Sequence, residues 1–129
     1  MTVAVDTNII VRYLTSDDPV QTPIATQSLR RPFMVTATVL LETEWVLRSS
    51  YRWPRNRIVE ALSELIDLPS AVSTPEGIRW ALGRLRAGAD FADMLHIASS
   101  QGADVFLSFE KQLGSLVGAE PPVPVETLS

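Results

Sequence analysis

The chain contains no cysteine and only one histidine, His96. The first absence excludes a disulfide framework and any thiolate metal site. The two together remove nearly every donor set that zinc and other soft or nitrogen-preferring ions use. Lysine is almost missing as well: Lys111 stands alone, and the other ten basic residues are arginines. Arginine suits bidentate contacts to phosphate or carboxylate, although genome composition produces the same skew. No apolar run approaches the roughly 20 residues of a membrane span. The N-terminus has neither a positive stretch nor a long apolar one. A soluble, cytoplasmic protein with no membrane association is therefore expected. The formal charge of −4 argues against a surface coated in positive charge for nucleic acid, while leaving room for a local basic patch.

What is present is ordinary globular material: 129 residues, 46% hydrophobic and 20% charged. One domain over residues 1–129 is expected, burying roughly two-thirds of its unfolded surface. Val3–Val5 reads as a buried strand, followed by helical spacing through Ile9, Ile10, Tyr13 and Leu14. Asp17-Asp18-Pro19 breaks that helix, and a second is predicted over 20–31 with Pro23 in its first turn. Phe33–Val35 is the next strand, and Thr36 or Thr38 caps a helix reaching about Ser50. After Trp53-Pro54 comes another helix, then a strand at Ala71–Ser73. Thr74-Pro75 reads as an N-cap and first helical position, opening a helix to about Arg86. A further helix runs from near Asp90 to Gly102, then a strand at Asp104–Ser108 and a short helix over Glu110–Val117. Val123–Val125 is a last strand that Pro124 confines to an edge. The alternation predicts an α/β fold of three layers, with a short, mainly parallel central sheet flanked by helices on both faces. Ligands of such sheets bind beyond the carboxyl ends of the strands, and Asp6 stands at one of those ends.

Carboxylates occur at four awkward places. Asp6 serves equally as a helix N-cap or as a site residue. On the wheel of the helix near residues 37–50, Glu44 and Arg48 mark a polar face, while Glu42 falls near Val39, Trp45 and Val46. A glutamate at the edge of a packed face needs a partner, and its own segment offers none. Asp90 and Asp93 share a helix face in GADFADMLHIASS, an arrangement that resembles a capping box and equally keeps carboxylates ionised for a cation. Glu110 follows the strand ending at Ser108, as a first-turn glutamate or a site acid. His96 reads as a core or boundary residue. Were these acids to share a pocket, its all-oxygen character would select a hard, hydrated ion, Mg²⁺ or Mn²⁺, of the kind that promotes phosphodiester hydrolysis.

In these residues the chain resembles the PIN domain, and within it the VapC-type toxins of bacterial toxin–antitoxin modules. The resemblance rests on Asp-Thr-Asn after the first strand, the glutamate of TATVLLETEWVL, FADMLHIA and the closing LSFEKQL, in order along nearly the whole chain. It implies an acidic quartet of Asp6, Glu42, Asp93 and Glu110, with Asp90 as a further metal-binding acid. It also places Thr7, Asn8 and Ser108 as supporting residues. Two departures bear on the second metal position rather than the first: Glu110 stands where the family usually has aspartate, and Ser108 where it usually has threonine.

RSSYRWPRNR, residues 48–57, carries Arg48, Arg52, Arg55 and Arg57 with Tyr51 and Trp53 and no acid. Such a segment either holds RNA phosphates and stacks bases or is a solvated junction with Trp53 packed inward. The resemblance implies a Mg²⁺- or Mn²⁺-dependent endoribonuclease, a cognate antitoxin that inhibits it, and a homodimer. Against this stand a catalytically degenerate PIN domain that only binds RNA or protein, and a receiver-type phosphoacceptor domain. The latter wants an acidic pair before the strand-end aspartate, which this chain lacks.

Overall fold

The structure, a computed structural model, describes residues 1–129. It comprises two compact units, Met1–Pro75 and Glu76–Ser129.

In the first unit, β1 (Val3–Ala4), β2 (Phe33–Met34) and β3 (Ala71–Ser73) form a parallel sheet in the order β1-β2-β3. The register sets Val3 against Phe33 and Phe33 against Ala71. Parallel neighbours need crossovers. They are supplied by α1 (Thr7–Thr15) with α2 (Gln21–Ser28), and by α3 (Ala37–Ser49) with α4 (Arg55–Ile66). The strands are short because caps follow at once: the Asp6 and Thr36 side chains accept from the backbone N–H groups of Ile9 and Val39. Val5 still extends the ladder, its N–H donating to the Met34 carbonyl at 3.3 Å. Ile10, Phe33, Leu40, Leu47, Leu62 and Leu65 are fully buried and form the centre of this unit. Asp18, expected only to break a helix, also accepts from the N–H groups of Val20 and Gln21 and so starts α2.

In the second unit, α5 (Ile78–Arg86) packs on α6 (Phe91–Ala98), and β4 (Phe106–Ser108) pairs in parallel with β5 (Val125–Thr127) around α7 (Leu113–Leu116). The expected cap at Thr74 is not used. The cap residue of α5 is Gly77, at φ +76°, where a Cβ would stand 2.9 Å from that of Ala98. The close approach of α5 and α6, with a left-handed backbone, demands glycine there. The last strand lies later than expected. Pro124 has no N–H to offer, so its carbonyl accepts from Phe106 at 2.8 Å and the ladder proper begins at Val125.

The α/β architecture and parallel pairing expected from the alternation are both present. The pairing is divided between a three-stranded and a two-stranded sheet rather than carried by one central sheet.

Candidate metal and nucleic-acid site

In the first unit the chain leaves β1 and turns directly into α1, placing Asp6, Thr7 and Asn8 on the turn. Asp6 and Asn8 are exposed and Thr7 is buried. Asp6 performs the bland task foreseen for it, its Oδ1 accepting from Ile9 N–H at 3.2 Å. One residue on, the Thr7 hydroxyl donates to Glu42 Oε1, a bond across 35 residues of chain. Glu42 thus has the partner its own helix lacked.

The wheel of α3 is corrected by this arrangement. Its buried residues are Leu40, Thr43, Glu44 and Leu47, and its exposed ones are Thr38, Glu42, Trp45, Arg48 and Ser49. Glu44, expected on the polar face, has a side chain only 4% exposed and is paired with Arg48 Nε at 2.7 Å. A carboxylate can be buried when a guanidinium compensates it. The apolar residues of α3 run round the whole helix, so its inward direction was ambiguous. Trp45, expected beside the core, is 55% exposed.

In the second unit Asp90 caps α6, accepting from Asp93 N–H at 3.1 Å. Asp93 stands in the first turn, half-buried. Burial pushes its carboxyl above the usual range, the charges of Asp90 and Glu110 push it the same way, and His96 opposes them. Asp90 and Glu110 therefore both lie within electrostatic reach of Asp93. Glu110 is exposed, and its Oε1 accepts from Gln112 N–H at 3.2 Å. Ser108 Oγ accepts from Glu110 N–H at 2.9 Å, which fixes the backbone that carries this acid. His96 is exposed rather than in the core or at its boundary. It lies in the last turn of α6.

The basic segment divides. Arg48 is held by Glu44, and Arg57 lies over the Trp53 ring at 3.8 Å from its centroid, a cation–π contact. Arg52 adopts a left-handed backbone at φ +56°. Tyr51 belongs to a cluster that the sequence reading missed: its hydroxyl donates to Asp17 Oδ2 at 2.7 Å, while Arg12 reaches Asp17 at 3.4 Å. The bond from Tyr51, then that from Thr15, then the Arg12 charge hold the Asp17 carboxyl below its usual range. The only hint was an acid beside a helix end that carries Arg12.

The PIN domain family profile matches residues 3–116, most of the chain. The chain belongs to the PIN domain family. No curated protein matches it. The PIN fold is a nuclease-type fold, and PIN nucleases typically use divalent metals. The candidate donors of this PIN domain suit such ions, being carboxylate oxygens on exposed or half-buried positions. No three metal-ligating side chains stand close enough to hold an ion as a group. That spacing is compatible with Mg²⁺, which keeps several waters and takes one or two carboxylates plus substrate phosphate. No helix is long and apolar enough to cross a membrane.

Proposed function

We propose that this PIN domain is a metal-dependent endoribonuclease acting as the toxin of a toxin–antitoxin pair in the cytoplasm, with residues 1–129 working as one domain. The observation that carries the reading is the bond from Thr7 to Glu42 beside Asp6. A buried hydroxyl orients one acid at the strand end where another already stands. The oxygen ligands we assign are Asp6 and Glu42 in the first unit and Asp90, Asp93 and Glu110 in the second. Mg²⁺ or Mn²⁺ would supply an activated water and charge stabilisation at the phosphorus. In the first unit Thr7 fixes the rotamer of Glu42 and Asn8 offers an exposed amide next to Asp6; in the second Ser108 fixes the backbone of Glu110. Water adds to phosphorus, the bond to the 3′-oxygen breaks, and the products carry a 5′-phosphate and a 3′-hydroxyl.

Arg48, Arg52, Arg55 and Arg57 are assigned to the RNA backbone. Arg55 and Arg57 occupy the first turn of α4, and that turn contains no acid. Cations at the positive end of a helix are locally unfavourable, and such conflicts mark functional positions. An acid-rich site also suits an antitoxin that inserts a basic side chain in place of the ion, acting on a homodimer. The non-cleaving alternative draws its support from Glu110, whose carboxylate already caps a turn.

The test is cleavage of a synthetic single-stranded RNA with Mg²⁺, with Mn²⁺ and with chelator. Cleavage that requires the ion and disappears in Asp6→Asn supports the nuclease. RNA binding without cleavage under every condition supports the degenerate reading.

A further inference from the structure

The five exposed residues of α3 form one stripe: Thr38, Glu42, Trp45, then Arg48 and Ser49. Trp45 is the only apolar member. A tryptophan 55% exposed is unusual, because this side chain gains more from burial than almost any other. Its place in the stripe is specific. It follows Glu42 by three residues, so the two side chains are neighbours on the helix surface with Cβ atoms about 5–6 Å apart. On its other side comes Arg48, one turn further on, oriented by buried Glu44.

We propose that Trp45 is a stacking platform for an unpaired base of the RNA, next to the phosphate addressed by Glu42. This rests on the nuclease reading for the identity of the ligand. The order along the stripe is carboxylate, aromatic face, guanidinium. That order matches a strand whose phosphate meets a metal ligand, whose base lies on the indole and whose following phosphate meets an arginine. A protein anchor is the competing use of an exposed tryptophan, but such anchors sit in desolvated pockets ringed by contacts that exclude water. On α3 the exposed neighbours of Trp45 are a hydroxyl, a carboxylate, a guanidinium and a second hydroxyl. Polar, hydrated flanks suit a nucleotide, with its apolar base and charged linkage, better than the apolar face of a partner helix. Trp53 does not compete for the role, since the Arg57 guanidinium already covers its ring. Trp80 donates its Nε1 to the Val117 carbonyl and serves the second unit.

The experiment measures binding of a short single-stranded RNA to the full chain in chelator, where cleavage is stopped, for the parent, Trp45→Ala, Trp45→Leu and Trp45→Phe. Stacking on an aromatic is lost in the first two and kept in the third. Alanine and leucine should weaken binding by roughly 5- to 100-fold, and phenylalanine by much less. The slope of affinity against salt should be the same in all four, because no phosphate contact is removed. Thermal midpoints should change little, because more than half of the residue is already in water. RNA should quench tryptophan fluorescence in the parent and less in Trp45→Phe. Affinity unchanged in Trp45→Ala, leucine as good as phenylalanine, or no RNA binding by the parent would each overturn the proposal. Cleavage with Mn²⁺ is scored separately. A parent that binds through Trp45 but never cuts leaves the platform standing and removes the nuclease. A parent that cuts, with KM unmoved by Trp45→Ala, does the reverse.

Discussion

The candidate-site acids of the two units differ in how much like charge presses on them. In the first, Asp6 and Glu42 each have a neutral donor, Ile9 N–H and the Thr7 hydroxyl. In the second, Asp90 and Glu110 have backbone N–H donors too, but Asp93 is pressed by burial and by the charges of Asp90 and Glu110, and its carboxyl titrates above the usual range. Neutral donors fix geometry without adding charge. Like charges in a half-buried place store repulsion that a cation relieves. On the function proposed above, the first unit would meet a metal with its acids already oriented, and the second would be relieved of repulsion by one.

The sharpest way to break this contrast is Asp6→Asn. Asparagine caps helices about as well as aspartate, so the thermal midpoint should hold while RNA cleavage falls about 100-fold or more, as expected when a metal ligand's charge is lost. A cleavage assay beside a melting curve checks both. Equal activity would make Asp6 a cap and nothing else.

Thr7→Val tests whether the first unit depends on its neutral donor. The hydroxyl is buried and its bond orients Glu42, so cleavage should drop about 10-fold, in the range for a residue supporting a metal ligand. Stability should fall by about 1 kcal/mol, and Thr7→Ser should recover most of both. Activity untouched by valine would show that Glu42 needs no positioning.

The corresponding residue in the second unit is Glu110. Glu110→Asp restores the usual family residue and should hold or raise cleavage. Glu110→Ala should lower cleavage without abolishing it, and bring the Asp93 carboxyl, followed by NMR titration, back toward its ordinary range. Complete loss with alanine would give Glu110 a larger share than the contrast allows.

The smallest effect lies away from both acid groups. The Tyr51 hydroxyl is the foremost cause of the low Asp17 titration. A carboxyl depressed in the folded state adds stability that is present above its unfolded pKa and lost as pH falls through the folded one. Tyr51→Phe should therefore lower the midpoint slightly at neutral pH and not in strong acid, read by melting curves across that range. A loss of equal size at both ends would show that Tyr51 acts by packing.

Much of this was legible in the sequence. Asp6 and Asp90 were readable both as caps and as site acids, and they are caps at exposed positions, because a helix start rewards a carboxylate whatever else it does. Thr36 as a cap and Ala71–Ser73 as a strand followed from local rules, and the structure has both. Three things did not follow. The inward face of α3 was misread because Val39, Leu40, Leu41, Val46 and Leu47 surround the helix, and only tertiary packing decides among them. His96 was read as a core or boundary residue, as a lone histidine in an apolar helix usually is, and it is exposed. The Thr7–Glu42 and Tyr51–Asp17 bonds span 35 and 34 positions, and no local pattern reports a pairing of that range.

The most direct test of the contrast is a melting curve of the metal-free chain and of Asp93→Asn, with and without Mn²⁺, across pH. Asp93 carries a raised pKa, so its contribution to stability is full below the ordinary carboxylate range and is lost as pH rises through the raised value. At neutral pH the charged form is penalised, and the asparagine variant escapes the penalty. The account predicts that metal-free Asp93→Asn is at least as stable as the parent at neutral pH, loses that advantage in acid, and shows little of the parent's stabilisation by Mn²⁺. A variant less stable than the parent at neutral pH that still gains fully from Mn²⁺ would contradict it.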